Sequence, residues 1–551
     1  MSNRDAESII VELLEARGIA RKEQAVFRSP NFERDTHSPW GLPGMDVAVG
    51  RLVVAKEKNE KVVVFGDYDA DGVPATALLL RVFRRLGIEN IEGVIPTREQ
   101  GYGLTLPVVE ALLTLKPAIV IAVDNGTVAK EEVAALVKAG VDVIVVDHHE
   151  AQEGKIAESA LAIINPKMPG STYPFAELCA CGLAWKLACA LTEKLGEDVA
   201  PLKWELDLVG LSTIADMVPL VGENRVLACF GLKVLQKSRN VGLQALMNVA
   251  QVKAGSLSAG DVCFKLAPRI NAPSRMHGEI LDGSNAALSL LTATDKAEAA
   301  KCAEYLHEQN TERQQLVERH IEEAEAQIQK RPHAQVLVAY HDSWSSGVIG
   351  LVASRLMDRY RRPAIALAPE GGVVKGSVRS VDGVHALELL DAAAGELERF
   401  GGHAKAAGLT LSGSVESFRD ALEAYMNELG LTLEELAAKS ERVPDAELGM
   451  EELGLELAQK LEELQPFGIG FPAPLFLTEC EVRNVRRVGA EGKHVSCFLF
   501  DGKTQRKAIG FSYRGPELVE GKKYRFRIGL QAEEWQQMVS PVCHIRKVEV
   551  V

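Results

Sequence analysis

Val62-Val63-Val64-Phe65-Gly66-Asp67-Tyr68-Asp69-Ala70-Asp71-Gly72 joins a short apolar run to three carboxylates at alternate positions, with a glycine on each side. A run of four apolar, mostly β-branched residues reads as a strand buried on both faces. Ala75 to Leu86 follows as a helix, Ile119 to Val123 as a second buried strand, Ala129 to Ala139 as a helix and Val141 to Val146 as a third strand. This alternation predicts an α/β fold with a parallel sheet covered on both faces. Such sheets bind ligands beyond the C-terminal ends of their strands. The acidic residues fall at those ends: Asp67, Asp69 and Asp71 after the first strand, Asp124-Asn125-Gly126-Thr127 after the second, and Asp147-His148-His149 after the third.

Carboxylates this close repel one another unless a cation neutralises them. A solvated acidic turn is the plain alternative. An EF-hand loop also carries Asp-x-Asp-x-Asp-Gly, but here a strand precedes the run and no Glu stands at the twelfth position from Asp67. A single histidine at a strand end is usually a surface residue. Two after an aspartate, on an edge that already carries four other carboxylates, read instead as ligands. Mixed carboxylate and imidazole donors suit Mn²⁺ or Mg²⁺ better than zinc or copper.

Beyond this unit, Asp295 to Lys330 is charged, helical in pattern and nearly free of Gly and Pro, with Glu312-Arg313, Glu318-Arg319 and Glu322-Glu323 leaving little room for a wide apolar stripe. It predicts a long connecting helix, ended by Arg331-Pro332. A second α/β pattern starts at Val336-Leu337-Val338-Ala339, and acidic helical sequence covers Leu433 to Leu464. After the break at Pro466 to Pro472, five strand-like runs follow at Val482–Val488, His494–Phe500, Arg506–Phe511, Lys523–Ile528 and Val542–Val550. They predict a small C-terminal β-barrel of OB type. The expected divisions are 1–294, a connecting helix at 295–330, a second domain at 331–430, a helical linker at 431–465 and the barrel at 466–551.

A chain of 551 residues needs two or three domains, and 47% hydrophobic with 25% charged residues is ordinary for a globular protein. No apolar run has the length of a membrane span. The polar start Met1-Ser2-Asn3-Arg4-Asp5, leading into an amphipathic pattern, does not read as a signal peptide, so a cytoplasmic location is expected. Nine scattered cysteines contain no Cys-x-x-Cys pair, which argues against structural zinc and for reduced, buried thiols. Cys179 and Cys181 sit in a small-residue stretch that reads as a tightly packed helix. The net charge of −14 argues against a protein that coats nucleic acid nonspecifically. From Glu479 onward, however, fourteen Lys/Arg face nine Asp/Glu, a net of about +5. Arg483, Arg486, Arg487, Lys493, Arg506 and Lys507 near Phe498, Phe500 and Phe511 supply the devices of single-strand binding.

The tripeptide Asp147-His148-His149 resembles the one that names the DHH phosphoesterases, and Gly66 to Gly72 is similar to the RecJ-type form of their first motif. Asp207 to Leu220, Arg269-Ile270-Asn271-Ala272-Pro273-Ser274-Arg275-Met276, Gly347-Val348-Ile349-Gly350 and Lys375-Gly376-Ser377-Val378-Arg379-Ser380 resemble later motifs, in family order. Gly401-Gly402-His403-Ala404-Lys405-Ala406-Ala407-Gly408 resembles the glycine-rich signature of the DHHA1 domain. Two departures stand out. Pro273-Ser274 replaces the usual Ala-Gly, and Ser345-Ser346 stands where a histidine is usual.

The resemblance implies a DHH catalytic domain, a DHHA1 domain and a single-stranded-DNA-specific exonuclease that proceeds 5′→3′, releases 5′-mononucleotides, and serves DNA repair and recombination. It implies Asp69, Asp71, Asp124, His148 and Asp216 as holders of Mn²⁺ or Mg²⁺, with Asp67 and Asp147 in the same metal set. His149 is expected to contact the phosphate or assist the leaving group. Two divalent ions about 4 Å apart can activate a water and clamp the scissile phosphate without a separate strong base. Arg269, Arg275, Ser377, Arg379, Gly402, His403 and Gly408 are candidate phosphate contacts. Surface salt bridges, and a tight turn leading into a packed helix, are their plainer readings. Single-stranded DNA would lie in the cleft between the two α/β domains. A single-strand-binding protein as partner and a monomeric state complete the expectation. A phosphodiesterase for short oligonucleotides or cyclic dinucleotides, or a pyrophosphatase, is the rival enzyme. Its first motif would place a histidine at Phe65. A DNA-binding scaffold without catalysis is the other rival, and it would be expected to lack the ligand residues.

Overall fold

The computed structural model describes residues 4–101, 103–281 and 283–551, so Met1 to Asn3 of the polar start lie outside it. The apolar run forms β1 (Val62–Gly66), buried along its whole length. It joins β2 (Ile91–Val94), β3 (Ile119–Val123), β4 (Asp142–Val146) and β5 (Ala162–Ile164) in the order β2-β1-β3-β4-β5, with every pairing parallel. The three strands that carry acidic ends are therefore adjacent. Side chains alternate between two apolar layers: Val62 and Val64 enter the main core, and Val63 and Phe65 enter a second cluster on the other face.

The acidic turn leads into α1 (Gly72–Arg85). Its two glycines are steric requirements: a Cβ on Gly66 would lie 2.0 Å from Thr76 Oγ1, and one on Gly72 2.5 Å from the backbone nitrogen of Asp67. The Cys179–Ala184 stretch caps and opens α2 (Ala180–Lys194), buried over most of its length as its small residues suggest. Next, α3 (Leu206–Ala215) crosses α4 (Gly222–Leu235) at very short range. A Cβ on Gly210 would meet Gly231 Cα at 2.6 Å, and one on Gly231 would meet Gly210 Cα at 2.4 Å. That contact fixes α3, whose C-terminus delivers Asp216. After α5 (Ala267–Met276), the expected connecting helix is α6 (Lys296–Ile328), capped by the Asp295 side chain. Its buried stripe is narrow and divided. Ala299, Cys302, Ala303 and Leu306 pack into the first domain, whereas Val317, Ile321, Ala324 and Ile328 pack into the second.

The second domain holds β6 (Leu337–Tyr340), α7 (Ile349–Tyr360), β7 (Ala364–Glu370), β8 (Val373–Arg379), β9 (Leu397–Gly402) and β10 (Ala406–Leu411). The strand order is β9-β10-β8-β7-β6, parallel only between β6 and β7. The glycine-rich stretch is thus the hairpin between β9 and β10, and it leads directly into a strand; the next helix, Val415–Leu429, starts only after that strand.

Ala446–Glu447 (β11) pairs with the first of five long strands, β12 (Phe476–Val488), β13 (His494–Phe500), β14 (Gln505–Gly510), β15 (Lys523–Trp535) and β16 (Met538–Val550). Pairing of β12 with β15 closes the barrel. The last two strands run longer than the sequence suggested, because their hairpin turns on Gln536 and Gln537, at φ 49° and 65°, without the usual Gly or Asn signal. Phe511 falls outside the strand expected to contain it and is 56% exposed.

Two expected boundaries need correction. The helix Ala6–Ala16 does not belong to the first domain's core. Its Ile9, Ile10, Leu13 and Leu14 pack with Leu457 and Leu461 of the helix Leu455–Glu463 and with barrel residues Phe476 and Phe526. The stretch 431–465 is accordingly not a free linker, since its second half completes the barrel's core. Both errors have one cause: an amphipathic pattern reports that a helix has an apolar face and does not report what covers it.

The α3–α4 crossing has no room for a methyl group. Gly210→Ala is expected to cost about 1–3 kcal/mol, read as a lower unfolding midpoint, with a larger loss for Gly210→Val. An unchanged midpoint for both would show that the crossing relaxes freely.

Candidate active site

The sheet edge gathers the acidic clusters into one place. The Asp69 carboxylate accepts from the backbone N–H groups of Asp71 and Gly72 at 2.9 and 3.1 Å, which closes the turn. Asp71 accepts from Ala180 N at 2.7 Å and Cys181 N at 2.9 Å, at the start of α2, where the helix dipole favours a negative group. Asp216 has the opposite setting, at the carboxyl end of α3, where a second negative charge is unfavourable without a cation. Ser212 of α3 donates to the carbonyl of Ala70 at 3.0 Å and ties that helix to the acidic turn. Asp124 adopts φ 63°, a left-handed conformation that Asp tolerates better than most residues. It turns the chain sharply at the end of β3.

Around His148, Nε2 lies 3.2 Å from Asp124 Oδ1, 3.7 Å from Asp216 Oδ2 and 3.9 Å from Asp71 Oδ2. Among the described residues, three overlapping groups have donor atoms within 4.8 Å of one another: Asp67, Asp69 and Asp124; Asp71, His148 and Asp216; and Asp124, His148 and His149. Six of the seven residues expected to hold metal are thereby brought together. The exception is Asp147. Its carboxylate accepts from the backbone of Thr127, His148 and His149 and from His149 Nδ1 at 2.7 Å. These donors occupy its oxygens, and Asp147 is in none of the three groups: its carboxylate stands behind the site and holds the His149 ring. The same donors hold its pKa well below the ordinary carboxylate value despite burial.

Four of the other carboxylates are pushed the opposite way. Burial, reinforced by the neighbouring charges of Asp69 and Asp71, raises Asp67 to about 8, Asp71 to about 7 and Asp216 to about 9. Asp124 is raised for the same reasons. Burial lowers His148 to about 4, leaving a neutral imidazole that can act as a ligand. Asp67 Oδ1 and Asp216 Oδ2 are buried without a hydrogen-bond partner. Orphaned oxygens, mutually destabilised carboxylates and a neutral imidazole together fit a divalent-cation centre.

Against this cluster lies a cleft of about 910 Å³ between the two α/β domains, lined by Tyr68, Arg98 and Arg275 from one side and Lys375, Ser377 and Arg379 from the other. Gly408 also lines it. The domains touch where a Cβ on Gly347 would fall 2.1 Å from the Arg275 carbonyl oxygen, so this glycine is required by the contact itself. Arg379 donates to Ser377 Oγ at 3.0 Å. A second pocket of about 560 Å³ holds Asp147, His148, His149, Lys167 and His403. Two expected phosphate contacts stand elsewhere. Arg269 donates to His307 Nδ1 at 3.2 Å and to the Lys265 carbonyl at 2.6 Å, and lines neither space. Gly402 has φ 148°, and a Cβ there would lie 2.4 Å from the Ala406 carbonyl oxygen, so the hairpin demands this glycine.

Sequence reading missed Arg98 and Lys167. Both follow the edge strands β2 and β5, which it also missed: Ile91-Glu92-Gly93-Val94 is broken by a charge and a glycine, and β5 has three residues. With those strands in place, the rule that ligands gather at strand C-termini points to both residues.

Comparison with known proteins agrees with this geometry. Residues 61–213 match the DHH family, N-terminal domain; residues 333–428 match the DHHA1 domain; and residues 444–547 match the RecJ OB domain. The single-stranded-DNA-specific exonuclease RecJ of Bacillus subtilis is 35% identical over 98% of this chain and 68% of its own length. The Escherichia coli enzyme of the same name is 35% identical over 82% of this chain and 80% of its own. The crystal structure of RecJ in complex with Mn²⁺ from Thermus thermophilus superimposes with a TM-score of 0.82 at 29% identity, covering 98% of this chain and 75% of that one. A carboxylate–imidazole cluster beside a basic cleft, on a scaffold shared over nearly the whole of this chain, places the chain in one family: it belongs to the RecJ single-stranded-DNA-specific exonucleases of the DHH family.

Proposed function

We propose that the chain hydrolyses phosphodiester bonds of single-stranded DNA from the 5′ end, releasing 5′-mononucleotides, as a metal-dependent exonuclease of DNA repair and recombination. The observation that carries this reading is the pairing of buried, under-neutralised carboxylates with a guanidinium-lined cleft across one domain boundary. Asp67, Asp69, Asp71, Asp124, His148 and Asp216 would hold two Mn²⁺ or Mg²⁺ ions. The related Thermus thermophilus enzyme has been crystallised with each of these metals. When bound, the ions supply an activated water and neutralise charge on the scissile phosphate.

The remaining steps belong to the protein's own groups. Arg98, Arg275 and Arg379 take the terminal phosphate and fix the strand's end. Asp147 holds His149 through Nδ1 and raises its proton affinity, so that Nε2 carries a proton toward the departing oxygen. His403 reaches the same pocket from the second domain and positions the phosphate. The barrel, with Arg483 stacked 3.4 Å over Phe500, contributes single-strand affinity. No helix among the described residues is long and apolar enough to cross a membrane. The reading includes a cytoplasmic monomer working beside a single-strand-binding protein, supported by family resemblance.

Digestion of end-labelled single strands with Mn²⁺ tests the reading. Immediate release of 5′ label as mononucleotide, lost with EDTA and with Asp69→Ala, is expected; survival of long strands beside cleaved dinucleotides would move the assignment to a short-oligonucleotide phosphodiesterase. Arg379→Ala is expected to weaken DNA affinity about tenfold, the worth of one charge-assisted contact. Asp147→Asn is expected to lower activity about 10–100-fold, as loss of an orienting partner does, and wild-type turnover would remove Asp147 from this role.

The raised carboxylates also give the site a pH signature. A raised folded-state pKa adds stability that is full below the unfolded value of about 4 and is lost as pH climbs through the folded value. For Asp71, Asp67 and Asp216 that loss runs through about 7, 8 and 9. A bound cation removes the penalty, so the rise in unfolding midpoint given by Mn²⁺ should grow from pH 6 to pH 9. A rise that shrinks over that range would contradict the cluster's proposed charge state.

A further inference from the structure

The connecting helix grips the second domain at two successive turns. Near its C-terminus the Gln327 amide makes both bonds with the backbone of Tyr340 at the end of β6, donating to the carbonyl at 3.0 Å and accepting from the N–H at 3.2 Å. One turn earlier on the same face, Glu323 accepts from Trp344 Nε1 at 2.6 Å. Trp344 is 3% exposed and belongs to one apolar cluster with Val317, Ile321 and Ala324 of α6 and with Val348 and Val352 of the second domain. Its ring stacks on His320 of the connecting helix, with centroids 5.2 Å apart and planes at 26°. An indole whose N–H finds a carboxylate in a buried site is held in direction as well as in place.

His320 enters this contact as a flat ring. It is 2% exposed, and neither ring nitrogen has a hydrogen-bond partner. Its Nδ1 stands 3.6 Å from Glu323 Oε2, the oxygen that Trp344 uses.

The three residues after Trp344 lead into the cleft. Val348 N donates to the Ser345 carbonyl at 3.2 Å and Gly347 N to Ser345 Oγ at 3.3 Å, which closes a turn. Ser346 and Gly347 line the cleft, and Gly347 is the residue whose backbone meets the Arg275 carbonyl. Met276, the neighbour of Arg275, packs against the same apolar cluster as Trp344. The backbone that carries Arg275 is thus braced from the second domain at two adjoining residues.

We propose that Trp344 is a positioning residue for the phosphate-gripping end of the cleft: held by Glu323 and by the face of His320, it sets the Ser345–Gly347 turn against Arg275 and so fixes the spacing of the two basic walls. The proposal rests on the assignment of the cleft to the terminal phosphate. Glu323 and His320 sit on the helix whose apolar stripe is shared by both domain cores, so one element sets that spacing.

Digestion of one oligonucleotide bearing either a 5′-phosphate or a 5′-hydroxyl, at saturating Mn²⁺, reads the grip apart from the chemistry. The wild-type protein is expected to favour the phosphorylated end through a lower KM. Trp344→Phe keeps a ring and removes the N–H; it should reduce that preference about tenfold, the worth of one charge-assisted contact, with kcat on the 5′-hydroxyl strand unchanged. Glu323→Ala should do the same, whereas Glu323→Gln, which keeps an acceptor oxygen, should retain the wild-type preference. His320→Phe should also retain it, because only the ring face is used. Glu323→Ala decides if Trp344→Phe fails to fold, since the Glu323 side chain is partly exposed. A wild-type preference in folded Trp344→Phe and Glu323→Ala, or an equal loss of kcat on both ends, overturns the proposal and leaves Trp344 as core packing. Equal KM for both ends in the wild type strikes at the cleft assignment itself and removes the proposal with it.

Discussion

Repulsion among buried carboxylates at one edge of a parallel sheet is the constraint on which the rest of this structure depends. Asp67, Asp71, Asp124 and Asp216 come from three separate stretches of chain, and burial together with the charge of Asp69 makes each of their charges more costly. The fold holds them together by fixing their backbones. Two glycines shape the acidic turn, the start of α2 grips Asp71, and the Gly210–Gly231 crossing sets the helix that ends at Asp216. The scaffold's stability is thereby committed to a site that only cations relax.

The second domain answers with the opposite charge. Arg275 of the first domain and Arg379 of the second face one cleft, and Gly347 brings the two backbones into contact beside it. A connecting helix whose apolar stripe is divided between both cores keeps the domains in register. Basic groups from both walls of the cleft, beside carboxylates that would hold cations, would neutralise a phosphate from several sides, the electrostatic requirement for phosphodiester hydrolysis.

Much of this was legible in the sequence, for identifiable reasons. Buried parallel strands are continuous apolar runs, so β1, β3 and β4 and the acidic ends they carry could be placed from residues 62–71, 119–124 and 142–149 alone. Edge strands lack that signature. The short or interrupted β2 and β5 escaped notice, and Arg98 and Lys167 with them. Asp147 shows the limit of a motif: its place in the tripeptide marks it as important, but only the donors around it show that its carboxylate is engaged with Thr127 and His149. Gly402 and Arg269 were singled out by motif as well, and their surroundings assign them to a hairpin and to a histidine partner. The helix Ala6–Ala16 could not be placed, since its covering surface lies more than 440 residues away in sequence, against Leu457 and Leu461.

The central claim is that the clustered carboxylates exist to hold divalent cations, and counting the ions tests it most directly. Native mass spectrometry of the metal-free protein titrated with Mn²⁺ should show two ions bound per chain, with at least one lost in Asp124→Ala while circular dichroism stays that of the folded protein. No bound Mn²⁺, or the same number of ions in the variant as in the wild type, would contradict the account.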